Sequence, residues 1–391
     1  MVAVFIAVFG FYLLVAQQKV LYKNYVKYPV VSFNAFFRTL GDYTKIAAST
    51  RDKTRETVEI VPTAHRPTNN IIFVIDESVR GDHLSLNGYF RKTTPYLESL
   101  AGKGMLQNWG IATSVTTCSE SSALFLATGL KIQDLPDLKD KAHEAPTIFQ
   151  YAKAMGYRTY YLDGQMNVLW NLKPADMKYV DEWWNFSRFL EISNNREKVD
   201  FAIAETTKNI VETSTGNFIW VIKSGMHFPY YKRFPENEAE WTPFFASDRG
   251  GEQVPDQLTN SYDNAIKYNL DGFFKSLIPD FRLAANTVVL YTSDHGETVG
   301  QDGNPNFHCG VTKLEVVVPL FMIGYAQTNL DTKFRASHEN LFATLLDLMQ
   351  VPQSARRREH ARSLLQARER DTVPRFYVGP GLLSQDKFQF E

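Results

Sequence analysis

The chain has 391 residues, 44% hydrophobic and 22% charged, and its 42 Lys and Arg against 43 Asp and Glu leave a formal net charge of −1. This is the composition of a folded globular chain, which excludes disordered and collagen-like classes, and the lack of a positive excess argues against a bulk nucleic-acid binder. Two cysteines are too few for a zinc ribbon or a disulfide-rich scaffold.

Residues 1–16 read MVAVFIAVFGFYLLVA and carry no charge. As a helix they cover about 24 Å, a little short of a hydrocarbon core of about 30 Å. Residues 17–22 extend the span, with Lys19 reaching the headgroups. The expectation is an N-terminal transmembrane helix over 1–22, the last span of a longer chain. A signal peptide fits less well, because no basic n-region precedes the run and no small-x-small site follows it. Lys19, Lys23 and Lys27 would place the body in the cytoplasm by the positive-inside rule, a bias that earlier loops of a multi-span chain would outvote. Residues 23–65 are expected to be an interfacial segment and linker. The aromatic and basic stretch over 22–48 suits the membrane interface, or a helix packed on the body, and the 14% aromatic content points the same way. The polar stretch over 51–70 holds two prolines and reads as the linker.

The body then alternates. Short β-branched runs at 71–76 (IIFVID), 158–162 (RTYYL), 218–222 (FIWVI), 286–292 (NTVVLYT) and 317–322 (VVPLFM) read as buried strands. Helical stretches fall at 94–103, 147–155, 263–277 and 339–348. This is the pattern of one α/β domain over 66–391 with a largely parallel central sheet.

Open α/β sheets gather functional groups beyond the carboxyl ends of their strands. IIFVID runs into Asp76 and Glu77; NTVVLYT runs into Asp294 and His295; FIWVI is followed by His227, and His308 lies thirteen residues past His295. Carboxylates and imidazoles together suit Zn²⁺ or a similar divalent metal. A lone Asp-His pair is usually an ordinary loop, but repetition at several strand ends is not an accident of composition. The nucleophile candidates lie in TTCSESSALFLATG (116–129), where hydroxyl residues precede an apolar helical run. A Ser or Thr at a helix N-terminus meets free backbone N–H groups that stabilise anions, although plain N-capping favours the same residues.

Together these motifs resemble the alkaline phosphatase superfamily, and within it the bacterial membrane phosphoethanolamine transferases, with sulfatases and lipoteichoic acid synthases as relatives. IIFVIDESVRGDHLSLNGY, GMHFPYYKRFP, SYDNAIKYNLDGFF, SDHGETVGQDGNPNFHCG and VVPLFM each carry a part of the resemblance. It implies an alkaline phosphatase-like sandwich in which Glu77, Asp294 and His295 bind zinc and a nucleophilic hydroxyl completes the site. His227 and His308 resemble histidines that hold the phosphoryl group or a second zinc, and Asp76 is an assisting acid in the sulfatase pattern. The family spacing of nucleophile, Ser, apolar residue and hydroxyl fits Ser119, Ser122, Leu126 and Thr128. A register set on Cys118 selects Ser122 instead, and Thr117 or Cys118 remain alternatives. The transferases usually use Thr, so Ser119 is a departure. A sulfatase nucleophile needs a following x-Pro-x-Arg that is missing here, which disfavours sulfate-ester hydrolysis.

The activity implied is transfer of phosphoethanolamine from phosphatidylethanolamine to a lipopolysaccharide component, through a covalent phosphoenzyme. It would occur at a bacterial inner membrane, with the catalytic domain in the periplasm. Phosphoglycerol transfer, a sulfatase-like phosphodiesterase and a non-enzymatic lipid sensor are the alternatives. The family's Lys in the segment matching YLDGQMNVLW is replaced by Gln165 or Asn167, and lipid A transferases carry several disulfides where this chain has two cysteines. The acceptor is therefore open among lipid A, a core sugar and another glycan, with Gln165 a substrate-binding candidate. Finally, Cys118 precedes Ser119 and Cys309 follows His308. If both neighbours face one site, the two Cα atoms should lie within ~10 Å, as a disulfide or as two buried thiols.

Overall fold

The structure, a computed structural model, describes residues 54–60, 67–134, 138–165, 172, 174–247, 254–300, 308–326, 329–379 and 387–391. The chain divides into two units, Met1–Thr54 and Arg55–Glu391. The transmembrane helix expected over 1–22 lies outside the described residues, as does most of the 23–65 segment. Among the described residues no helix is long and apolar enough to cross a membrane.

In the second unit, strands β1 (Asn70–Asp76), β2 (Leu106–Thr113), β3 (Arg158–Asp163), β4 (Glu182–Trp184), β5 (Asn217–Ile222), β6 (Thr287–Ser293) and β7 (Val317–Ile323) form one sheet. Their order is β2-β7-β6-β1-β5-β3-β4. β6, β1, β5, β3 and β4 are mutually parallel, while β7 runs antiparallel to both β6 and β2. Every residue of β1 is buried, because helices cover both faces and each side chain must find an apolar neighbour. Ile72 and Val74 enter one core with Ile219, Val221 and Tyr291. Ile71, Phe73 and Ile75 enter the other with Phe218, Trp220 and Leu290.

The first core is closed by α1 (Pro95–Gly102), α5 (Phe186–Ser193), α6 (Val199–Thr213), α7 (Pro255–Ala265) and α8 (Gly272–Leu277). The second is closed chiefly by α2 (Ser119–Thr128), α4 (Ile148–Ala154) and α9 (Glu339–Leu348), and α3 (Leu138–Glu144) lies between α2 and α4 in the chain. The strands and helices expected in the body are present, and the structure adds others, β2, β4, α3, α5 and α6 among them. The helix expected over 263–277 starts earlier and is interrupted by a π-helical turn, Ile266–Asp271. β2 contains Gln107 and Asn108 and a register shift, so it lacks the apolar run that marked the other strands. The fifteen-residue α6 is rich in Thr and Val, which weakens its helical signature, yet residues 199, 202, 203, 210 and 211 form a buried stripe.

Residues 55–60 run along this body. Arg55 Nε lies 2.8 Å from both oxygens of Asp176, the Glu56 N–H donates to Glu144 O at 2.8 Å, and Val58 is buried in the second core. A two-stranded sheet, β8 (Phe376–Val378) with β9 (Lys387–Gln389), covers the approach to α2, where the Val378 N–H donates to Val115 O at 2.9 Å.

Candidate active site

Parallel pairing of β1 and β6 sets Asp76 opposite Ser293, and the Asp294 N–H donates to Asp76 O at 2.8 Å. The next residue on each strand therefore emerges at the same place. Glu77, Asp294 and His295 are all buried, and one ligand atom from each falls within 4.8 Å of the others. The His295 Nδ1 lies 2.7 Å from Gly296 O, so it carries the proton and leaves Nε2 as an electron-pair donor. That Nε2 is 3.5 Å from Glu77 Oε1 and 3.5 Å from Asp294 Oδ2.

Ser119 opens α2, whose N-cap Cys118 is extended and offers no side-chain cap. Its Oγ lies 3.0 Å from His295 Nε2 and 3.3 Å from Glu77 Oε2. Ser122, one turn on, points elsewhere. It is fully buried and donates to the main-chain Asp294 O at 2.7 Å, with His338 Nδ1 at 3.4 Å. The geometry thus brings Ser119, and not Ser122, to the carboxylates. The hydroxyl of Thr117 also turns away, donating to Gly310 O at 2.9 Å, and Cys118 is bonded to Cys309 with the Cα atoms 4.8 Å apart.

Asp76 does not face the cluster. Its Oδ2 accepts from Lys223 Nζ at 2.5 Å and from Tyr291 OH at 3.0 Å, and its Oδ1 accepts the Glu77 N–H at 3.0 Å. Lys223 is itself wholly buried and donates to Asn269 Oδ1, 3.0 Å away on the π turn. Asp76 is thus a structural partner of β5, which corrects its expected place as an assisting acid. Gly225 turns the chain after β5 with φ +50°, and a Cβ there would collide with the Asp76 carboxylate and the Glu77 backbone.

The three imidazoles form a row. His308 lies 4.7 Å from His295 and 5.6 Å from His227 between ring centroids. His227 is exposed and His308 half-buried, its Nδ1 3.2 Å from Glu297 Oε1, while Glu297 Oε2 accepts from Tyr230 OH at 2.7 Å. Glu297 lies in the stretch SDHGETVG, two residues past His295, but its partners Tyr230 and His308 are not marked by that stretch. Gln165 reaches the cluster, where its Nε2 donates to Glu77 Oε2 at 3.0 Å and to Lys223 O at 2.8 Å; Asn167 lies outside the described residues.

The electrostatics call for a cation. Asp294 Oδ2 is buried without a hydrogen-bond partner. Burial, then the neighbouring Glu77 charge, push the Asp294 carboxyl well above the ordinary carboxylate range. Burial also lowers the His295 imidazole to about 4, keeping it neutral near pH 7. Two buried carboxylate groups, one orphaned oxygen and one neutral imidazole make the oxygen–nitrogen donor set that suits zinc.

The sulfatase family matches residues 69–351. The phosphatidylethanolamine transferase Mcr-1 of Escherichia coli is 26% identical over 317 residues, covering 76% of this chain and 56% of that protein. The Kdo(2)-lipid A phosphoethanolamine 7''-transferase of Escherichia coli K12 is 26% identical over 237 residues, covering 59% and 39%. The chain therefore spans about half the length, or less, of these curated relatives. Among solved structures, the C-terminal periplasmic domain of EcEptC from Escherichia coli superposes with a TM-score of 0.68, and its complex with Zn with 0.66. Each is 20% identical and covers 86% of this chain and 96% of that one. The shared fold is alkaline phosphatase-like, and a family match running from the start of β1 to the end of α9 makes this chain a member of the sulfatase family.

Proposed function

We propose that this chain carries the catalytic body of a zinc-dependent transferase that moves phosphoethanolamine from phosphatidylethanolamine to a lipopolysaccharide component, lipid A or a core sugar, through a phosphoserine at Ser119. The observation that carries the reading is the Ser119 hydroxyl at a helix N-terminus, 3.0 Å from His295 and 3.3 Å from Glu77. Similarity to Mcr-1 and to the Kdo(2)-lipid A transferase supports the donor and the lipopolysaccharide acceptor. Similarity to a periplasmic domain, with a bridge between the only two cysteines, supports an oxidising periplasm beside the inner membrane.

Glu77, Asp294 and His295 would hold the zinc, with Ser119 completing the set. Zinc so bound lowers the pKa of the Ser119 hydroxyl and offsets charge on the phosphoryl oxygens. The chain supplies the rest. Backbone N–H groups in the first turn of α2 face the phosphoryl oxygens. Ser119 Oγ bonds to phosphorus as the ester bond to diacylglycerol breaks. Nδ1 of His308 is engaged by Glu297, and in this reading its Nε2 protonates the departing oxygen, with His227 beside it. An acceptor hydroxyl or phosphate then takes the phosphoethanolamine and frees Ser119. In this reading Gln165, hydrogen-bonded to Glu77, contacts the substrate.

Incubation with headgroup-labelled phosphatidylethanolamine, followed by peptide mass spectrometry, tests the proposal. The expected adduct is phosphoethanolamine on Ser119, released when lipopolysaccharide is added. Label found only in water-soluble hydrolysis product, with lipopolysaccharide unmodified, would overturn it.

A further inference from the structure

The chain's two cysteines flank two different site residues. Cys118 is the N-cap of α2 and precedes Ser119, whereas Cys309 follows His308, 191 residues later. Between the end of β6 at Ser293 and the short helix starting at Lys313, the described residues form neither helix nor strand. Among the described residues no helix or strand holds the backbone at His308. The Gly310 N–H donates to Glu315 Oε2 at 2.7 Å, and the other ties next to His308 reach the entrance of α2. The Cys309 N–H donates to Thr117 O at 2.9 Å, Thr117 Oγ1 donates to Gly310 O at 2.9 Å, and the disulfide joins the same two stretches covalently. The metal cluster is built differently. Glu77 and Asp294 sit at the ends of paired strands, and their bonds to Ser78, Asp76 and each other's strands do not pass through either cysteine.

We propose that the Cys118–Cys309 bridge is a positioning element for the transfer step, an inference that rests on the roles given above to Ser119 and His308. The bridge holds the His308 imidazole over the nucleophile turn. Its reduction slows transfer while leaving the metal cluster assembled. In that reduction a dithiol gives up two electrons and two protons and closes to its own cyclic disulfide. The Cys118–Cys309 bond breaks, and each sulfur takes one electron and one proton. The consequence is an enzyme body whose turnover depends on an oxidising surrounding, although no cysteine touches substrate.

The test uses the full chain in lipid micelles, with headgroup-labelled phosphatidylethanolamine as donor. Protein is treated anaerobically with dithiothreitol, desalted, recharged with zinc, and its thiols counted. A second arm uses the C118S/C309S variant. Misplacing a catalytic group by about 1 Å costs on the order of 100-fold. We therefore expect kcat to fall on the order of 10–100-fold, with zinc content unchanged, KM within about twofold, and kcat restored on reoxidation. A bridge that only stabilised the fold would leave kcat unchanged below the melting temperature. Two counted thiols with undiminished kcat would overturn the clamp alone. Zinc lost together with activity would also overturn it, by tying the bridge to the metal cluster. An oxidised protein that forms no adduct at Ser119 would overturn the transfer reading and the clamp with it. If the double serine variant does not fold, the reduction and reoxidation arm still decides.

Discussion

At the scale of single residues, the orphaned oxygen of Asp294 and the serines Ser119 and Ser122 of α2 give the sharpest outcomes. Glu77→Ala should lose its bound zinc and more than ~100-fold of its transfer rate, since even outer partners of a metal site contribute ~10–100-fold; metal analysis of the purified protein and an adduct assay read both. Ser119→Ala should form no adduct. Ser122→Ala should still form one, more slowly, because its hydroxyl supports the Asp294 carbonyl and does not face the cluster. An adduct surviving in Ser119→Ala and absent in Ser122→Ala would move the nucleophile by one turn. His338 adds a pH dependence. It is packed between Ser122 and Thr292, and burial lowers its imidazole to about 3 from an ordinary 6.5. The unfolded chain takes up a proton below about 6.5 that the folded chain refuses until about 3, so stability must fall as pH drops through that window. Thermal melts from pH 7.5 to 4 should show a shallower decline for His338→Gln than for the unaltered chain. The residues of the candidate metal cluster were legible because each stands just past a strand whose apolar run is visible. Lys223 and His338 were not, because their partners lie 147 and 216 positions away and no local pattern marks a buried polar contact.

At the scale of elements, β1 is fastened to its neighbour by more than a ladder of amide bonds. The Asp76–Lys223 pair joins the ends of β1 and β5, and Asn269 on the π turn holds the same ammonium. π turns recur at functional sites, and this one carries a supporting side chain toward the strand end that bears Glu77. Removing one partner of a buried pair strands the other charge in the interior, which typically costs about 3–5 kcal/mol. Lys223→Met should therefore lower the urea unfolding midpoint markedly, and the Asp76→Asn/Lys223→Met double variant should recover part of that loss. A double variant no more stable than the single one would show that the pair contributes nothing beyond packing. The elements that escaped the sequence share a physical cause. β2 and β4 sit at the sheet's two edges, where half-exposed residues dilute the apolar run, and α6 is written in β-branched residues that the tertiary core overrides.

At the scale of the whole molecule, one disulfide closes a loop across more than half of the body. In the chain-entropy account, closing a loop of this length stabilises the fold by about 5 kcal/mol, an upper figure for real proteins. For a body of this size, with about 2.1 cal/mol/K of unfolding entropy per residue, reduction should lower Tm by about 7 °C. Differential scanning calorimetry with and without reductant measures it, and no shift would mean that the unfolded chain already keeps those loops together. The order of the sheet also bears on how the molecule is made. Its first strand is its central one, and Asn70 at the start of β1 meets Thr287 at the start of β6, 217 residues later. During vectorial synthesis β1 must wait, apolar on both faces, for partners that have not yet been made, so it is a natural client for a holding chaperone. The acidic cluster can close once Asp294 and His295 arrive, and the covalent tie only when Cys309 follows them. Within these 391 residues the two cysteines have one intramolecular pairing, so oxidation among them has no alternative partner to sort.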